Sequence, residues 1–173
     1  MPDDAIHPAV RVGHVHLRVA DLDRSLAFYA GALGLRITAD AREAGLEMVF
    51  LAAGDYHHHV ALNATESAGG APPAPGSTGL YHVAFLFPDR AELARAVRRV
   101  LDHGYPVDHA TDHGGTVSAY LEDPDGIGVE LYADRPRCHW TDADGRPVIR
   151  ADRIAVSALL DPEQLPALSL IHI

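Results

Sequence analysis

Three residues offer chemistry that their surroundings do not explain. His14, His82 and Glu130 lie in short apolar segments, GHVHLRV, LYHVAFLF and GIGVELY. Glu130 stands between Val129 and Leu131, and strand alternation puts those two on the opposite face from it. An ionised carboxylate on a buried sheet face is costly unless it is paired or bound to a cation. Two neutral imidazoles and one carboxylate, with further positions open, form the donor set of non-heme Fe(II) oxygenases. Open positions can hold a substrate and dioxygen together. Taken singly, each residue is ordinary, because a strand histidine usually sits in the core or at the surface. Glu130 taken alone is open to reading as a salt-bridge partner.

What makes them a set is a repeat. The segments VGHVHLRVADLDRSLAFYAGALGL from Val12 and LYHVAFLFPDRAELARAVRRVLDHG from Leu80 share one layout. Each opens with a short strand carrying a histidine, then an aspartate suited to helix N-capping, Asp21 or Asp89. An amphipathic helix follows. Leu22, Leu26, Tyr29 and Leu33 share one face of the first, and Leu93, Val97, Val100 and Leu101 one face of the second. Gly34 and Gly104 stand where helix C-caps belong. Three strand-like stretches come next, near 35–40, 46–53 and 57–63 in the first half and near 106–111, 115–122 and 128–133 in the second.

The expected fold is therefore α+β: two βαβββ modules forming a curved, partly closed mixed sheet around a metal site. Residues 1–10 read as an N-terminal extension, 11–64 as the first module, 65–79 as a Gly/Pro linker, 80–134 as the second module and 135–173 as an irregular tail with a short helix near 161–166. Equivalent positions of two such modules can converge on one cavity. His14 and His82 are such a pair, 68 positions apart. His16 rivals His14 on the same strand face, but the second half has Ala84 at that place, so the repeat favours His14.

Composition narrows the class. The 173 residues are 47% hydrophobic, as in a globular protein, and no apolar run approaches the length of a membrane helix. A formal charge of -10 without a basic cluster argues against nucleic acid. The beginning MPDDAIHPAV shows no signal-peptide pattern, and the single Cys138 suits a reducing cytoplasm, which is the expected location. Twelve histidines are a further pointer to metal or proton chemistry.

The segments GHVHLRVADLDRSLAFYAGALGL and YLEDPDGIGVELY resemble the vicinal oxygen chelate superfamily. This group includes glyoxalase I, bleomycin and fosfomycin resistance proteins and type I extradiol dioxygenases. The resemblance covers about residues 10–135. GDYHHHVALN, GLYHVAF and the order DHG, Tyr, DPDG, Glu are most similar to catechol 2,3-dioxygenase-like proteins. It implies metal ligands at His14, His82 and Glu130, with Fe(II) as the ion and Mn(II) or another divalent metal as alternatives. It also implies catalytic roles for His58, Tyr120 and His113. His57–His59 read as part of the fourth strand, with His58 as the acid–base residue; His58 and Ala61 then face opposite sides unless a bulge intervenes. Tyr120 would bond a substrate oxygen, and its alternative is a buried strand tyrosine. His113 is either a site residue or a solvent-exposed loop histidine.

The implied activity is extradiol cleavage of a catecholic ring with dioxygen, in aromatic catabolism, by a homodimer that binds neither nucleic acid nor membrane. Glyoxalase-type chemistry requires a fourth ligand on the last strand of the first half. Aligning HVALN with GVELY puts Ala61 there, and alanine binds no metal. The alternatives are a lyase or isomerase, a resistance protein, or a non-catalytic binding protein. Similar catechol dioxygenases also exist in which a second pair of modules follows the first.

Overall fold

Apolar residues at period two, broken by turn residues, dictate strands, and the molecule is built mainly from them. A computed structural model describes residues 5–148 and 150–161. These form two compact units, Met1–Ala30 with Gly34–Gly70, and Gly31–Leu33 with Ala71–Ile173.

The first unit contains β1 (Val15–Arg18), α1 (Leu22–Leu26), β2 (Arg36–Asp40), β3 (Met48–Ala52) and β4 (Val60–Asn63). Its sheet has the order β1-β4-β3-β2, with β1 parallel to β4 and the other pairs antiparallel. Asp21 caps α1 through its carboxylate, which accepts the Arg24 N–H at 3.0 Å. The helix runs on as a π-turn over Ala27–Ala32. The wider turn brings the neighbours Phe28 and Tyr29 inward together, and both are fully buried. They complete the core with Val49, Leu51, Val60 and Leu62.

The second unit contains β5 (His82–Phe87), α2 (Arg90–Asp102), β6 (His109–Asp112), β7 (Thr116–Glu122) and β8 (Gly128–Asp134). Asp89 caps α2 by accepting the Glu92 N–H at 2.8 Å. Leu93, Val97 and Val100 turn into the core, whereas Leu101, in the last turn, is exposed. Along β8, Val129, Leu131 and Ala133 are buried while Glu130 and Tyr132 are half-buried on the other face. That alternation is the one expected for GIGVELY. Gly34 and Gly104 follow the two helical segments with left-handed backbones, as their C-cap positions require.

The tail departs from the expectation of an irregular segment. β9 (Asp152–Ile154) adds a fifth strand, giving the order β5-β8-β7-β6-β9, and pairs antiparallel with β6. A short helix, α3 (Val156–Leu160), follows at once. It precedes the expected helix near 161–166, of which residues 162–166 lie outside the described residues. The segment DRI is short and has two polar residues, so alternation alone gives it little strand signal; the open edge of β6 supplies its pairing partner. No helix among the described residues is long and apolar enough to cross a membrane.

Candidate metal centre

In the second unit, strand register gathers four of the expected residues. Glu130 on β8 lies directly opposite Tyr120 on β7, and β5 runs parallel to β8 with His82 opposite Gly128. His82 Nε2 is 3.0 Å from Glu130 Oε2, and the two side chains are 31% and 12% exposed. The Tyr120 hydroxyl donates to Glu130 Oε1 at 2.8 Å. His113 Nε2 lies 2.8 Å from the same hydroxyl, and His113 Nδ1 lies 3.0 Å from the Arg150 carbonyl oxygen. His113 is thus tied into the site and is not a free loop histidine.

Burial first, then the hydrogen bond to Glu130, pushes the Tyr120 phenol up to about 12. The group therefore stays protonated and acts as a donor. Burial and the neighbouring Arg153 hold the His109 imidazole below its usual range.

Two residues that sequence reasoning missed shape this site. His109 stacks on Tyr120, with ring centroids 4.7 Å apart and planes 18° from parallel. The signal was the alternation in DHATDHG, which puts His109, Thr111 and His113 on one face. Gly128 is the second. A Cβ there would meet the Tyr81 carbonyl and lie 3.1 Å from His82 Cβ, so only glycine lets His82 keep its place.

The donor set fits a cation. Two ligand atoms about 2.1 Å from one ion at roughly a right angle are about 3.0 Å apart, and His82 Nε2 and Glu130 Oε2 have that spacing. The other ring nitrogen, His82 Nδ1, is buried with no hydrogen-bond partner among the described residues.

In the first unit, His14 packs against His58 with ring centroids 4.5 Å apart, and His58 also meets Phe50 at 5.1 Å. The Nδ1 atoms of His57 and His58 are 2.7 Å apart. Burial, then the neighbours His14, His57, His16 and His59, lowers the His58 imidazole below its usual range. One expectation is corrected here. His57–His59 precede β4, which starts at Val60, so strand alternation does not govern His58 and no bulge is needed. The run bends over the end of the sheet and ties into it through His59, whose N–H bonds Leu51 and whose carbonyl accepts from Val15.

Register also fixes the repeat equivalences. His16 pairs with Ala61 on β4 as Ala84 pairs with Glu130 on β8. Phe50 faces Ala61 as Tyr120 faces Glu130. Ala61 therefore stands at the Glu130 position, and His14 stands at that of His82. Among the described residues, no group of three or more His, Cys, Asp or Glu side chains is gathered as a metal cage.

Two successive βαβββ units with a histidine–carboxylate pair on the second define a class. The model of the Glyoxalase/Bleomycin resistance protein/Dioxygenase superfamily matches residues 11–131, and the chain belongs to that superfamily. It is 36% identical over 163 residues, 91% of its length, to a catechol-2,3-dioxygenase of Bacillus subtilis, and covers 53% of that enzyme. It is 32% identical over 124 residues to biphenyl-2,3-diol 1,2-dioxygenase 3 of Rhodococcus globerulus and covers 63% of it. The chain thus spans about half to two thirds of these relatives. A lactoylglutathione lyase of Salmonella typhimurium is 30% identical over 70% of the chain, with 91% of the lyase covered. Among solved structures, a glyoxalase/dioxygenase from Nostoc punctiforme shares the fold with a TM-score of 0.61, 23% identity and coverage of 78% of this chain and 99% of that one.

Proposed function

We propose that this chain is a divalent-metal-dependent dioxygenase that opens a catecholic ring beside its diol. The observation that carries the reading is the linked row His82, Glu130, Tyr120 and His113, which joins a ligand pair to a phenol and an imidazole. His82 and Glu130 supply two ligands and His14, the repeat counterpart of His82, the third, with Fe(II) as the proposed ion. When bound, the metal supplies Lewis acidity and a path for electrons between diol and dioxygen. Tyr120 fixes Glu130 and offers its hydroxyl to a diol oxygen. His113 Nε2 sits behind that hydroxyl and takes part in moving its proton. His58, beside His14, is the proposed acid–base group.

Anaerobic addition of Fe(II), then catechol and air, should give oxygen uptake and a yellow ring-opened product. Absence of both across several catechols would refute ring cleavage. Tyr120→Phe should keep the metal yet lower turnover roughly 10- to 100-fold, the effect of losing a partner that orients a metal ligand. Unchanged turnover would remove Tyr120 from the site.

A second reading has a specific observation in its favour. The lactoylglutathione lyase is matched over 91% of its length, whereas the diol dioxygenases are not. Proton-transfer chemistry of that kind needs no dioxygen. Activity with a divalent metal in the absence of oxygen uptake would support it. Ala61 at the place of a fourth ligand weighs against it.

A further inference from the structure

We propose that Arg150 is a positioning residue that locks His113 with its proton on Nδ1 and its Nε2 turned to Tyr120. A carbonyl oxygen can only accept, so the 3.0 Å contact between His113 Nδ1 and the Arg150 carbonyl requires Nδ1–H. In that tautomer the Nε2 lone pair faces the Tyr120 hydroxyl, 2.8 Å away. That hydroxyl has one proton and two acceptors at equal distance, Glu130 Oε1 and His113 Nε2. The choice of tautomer thereby makes His113 the outlet for the Tyr120 proton.

Arg150 is held in place by four features. Its Nη2 lies 3.3 Å from Asp112 Oδ1, and the same oxygen accepts the Gly114 N–H at 2.8 Å. The side-chain stem lies over Gly114, where a Cβ would come within 3.4–3.7 Å of it. Gly114 also has φ +80, so a side chain there would be strained although its Cβ would make only ordinary contact with Arg150. Arg150 Nε lies 3.2 Å from Asp152 Oδ2, an ion pair not aligned as a hydrogen bond. Finally, β9 pairs Asp152 with Asp112, and this register sets the chain at Arg150 beside His113 and Gly114. Asp112 thus holds both Gly114, the residue after His113, and the side chain of Arg150, whose carbonyl meets His113 Nδ1.

The catalytic consequence rests on the role of His113 proposed above, but the tautomer does not. The test is nitrogen NMR of the histidine rings in the full chain loaded with Zn(II) as a diamagnetic ion. His113→Gln assigns the signal. The expected result is a single Nδ1-protonated form of His113 in the parent. In Arg150→Ala that form gives way to a mixture, and its proton exchanges with solvent about five-fold faster or more, as loss of one hydrogen bond allows. Arg150→Lys should restore it in part. An Nε2-only form in the parent, or an unchanged signal in Arg150→Ala, overturns the proposal. If the parent opens catechol rings, Arg150→Ala should lower kcat with KM little changed; a rise in KM alone contradicts the positioning role. If the parent opens none, the function proposed above fails while the NMR result still decides this one.

Discussion

Replacing Glu130 with alanine is expected to lower affinity for Fe(II) or Zn(II) by more than about 100-fold and to abolish turnover. Loss of a group that only orients a ligand costs 10- to 100-fold, and loss of a ligand itself costs more. Glu130 joins His82 at 3.0 Å and Tyr120 at 2.8 Å, so alanine also removes the partner of His82 Nε2 and leaves the Tyr120 hydroxyl with His113 Nε2 alone. That defect costs about 1–3 kcal/mol of stability on its own. Glu130→Gln separates the two effects, because the amide keeps a hydrogen-bonding oxygen while losing the charge. It should fold like the parent and still bind metal poorly. Metal titration and urea unfolding of both variants provide the check. Undiminished metal binding by Glu130→Ala would remove it from the ligand set.

Asp112→Ala is expected to be the most destabilising of the substitutions considered. Arg135 Nη2 lies 2.7 Å from Asp112 Oδ2, with side chains 8% and 11% exposed, and Arg150 and the Gly114 N–H converge on the other oxygen. Breaking a buried ion pair by removing one partner costs about 3–5 kcal/mol, since the remaining charge is left uncompensated. The effect has a pH signature. Burial alone would push the Asp112 carboxyl up. The Gly114 N–H, Arg135 and Arg150 outweigh it and hold the group below the usual carboxylate range. A depressed folded value gives stability that is full above the unfolded value of about 3.9 and is lost as pH falls through the folded one. The gap between parent and Asp112→Ala in urea midpoint should therefore be wide near neutrality and shrink on acidification below about pH 4. A gap that stays constant would show that the carboxylate charge is not what stabilises this corner.

These two carboxylates also mark the limits of what the sequence made legible. Glu130 was readable because it interrupts an apolar alternation, and its neighbours Val129 and Leu131 are buried as that pattern requires. The helix starts at Asp21 and Asp89 were readable for a local reason: each side chain bonds a backbone N–H three residues on. Asp112 was not singled out. Its partners Arg135 and Arg150 lie 23 and 38 positions away, and nothing local announces them. β9 was missed for the same reason, since a three-residue strand is specified by the edge it joins. The run His57–His59 misled in the other direction: it looks like part of the following strand, yet the chain bends there before β4 begins. Glycines opposite functional side chains, Gly128 beside His82 and Gly114 under Arg150, are invisible until register brings the pairs together.

The proposed function requires one metal ion on His82 and Glu130, with His14 as the proposed third ligand and open positions for a diol. Crystals of the full chain grown anaerobically with Fe(II) and catechol, measured at the iron absorption edge, test it most directly. The expected result is a single iron peak bonded by those three side chains and by both catechol oxygens. An iron bonded by a fourth protein side chain, or seated instead on His57 and His58, would contradict it.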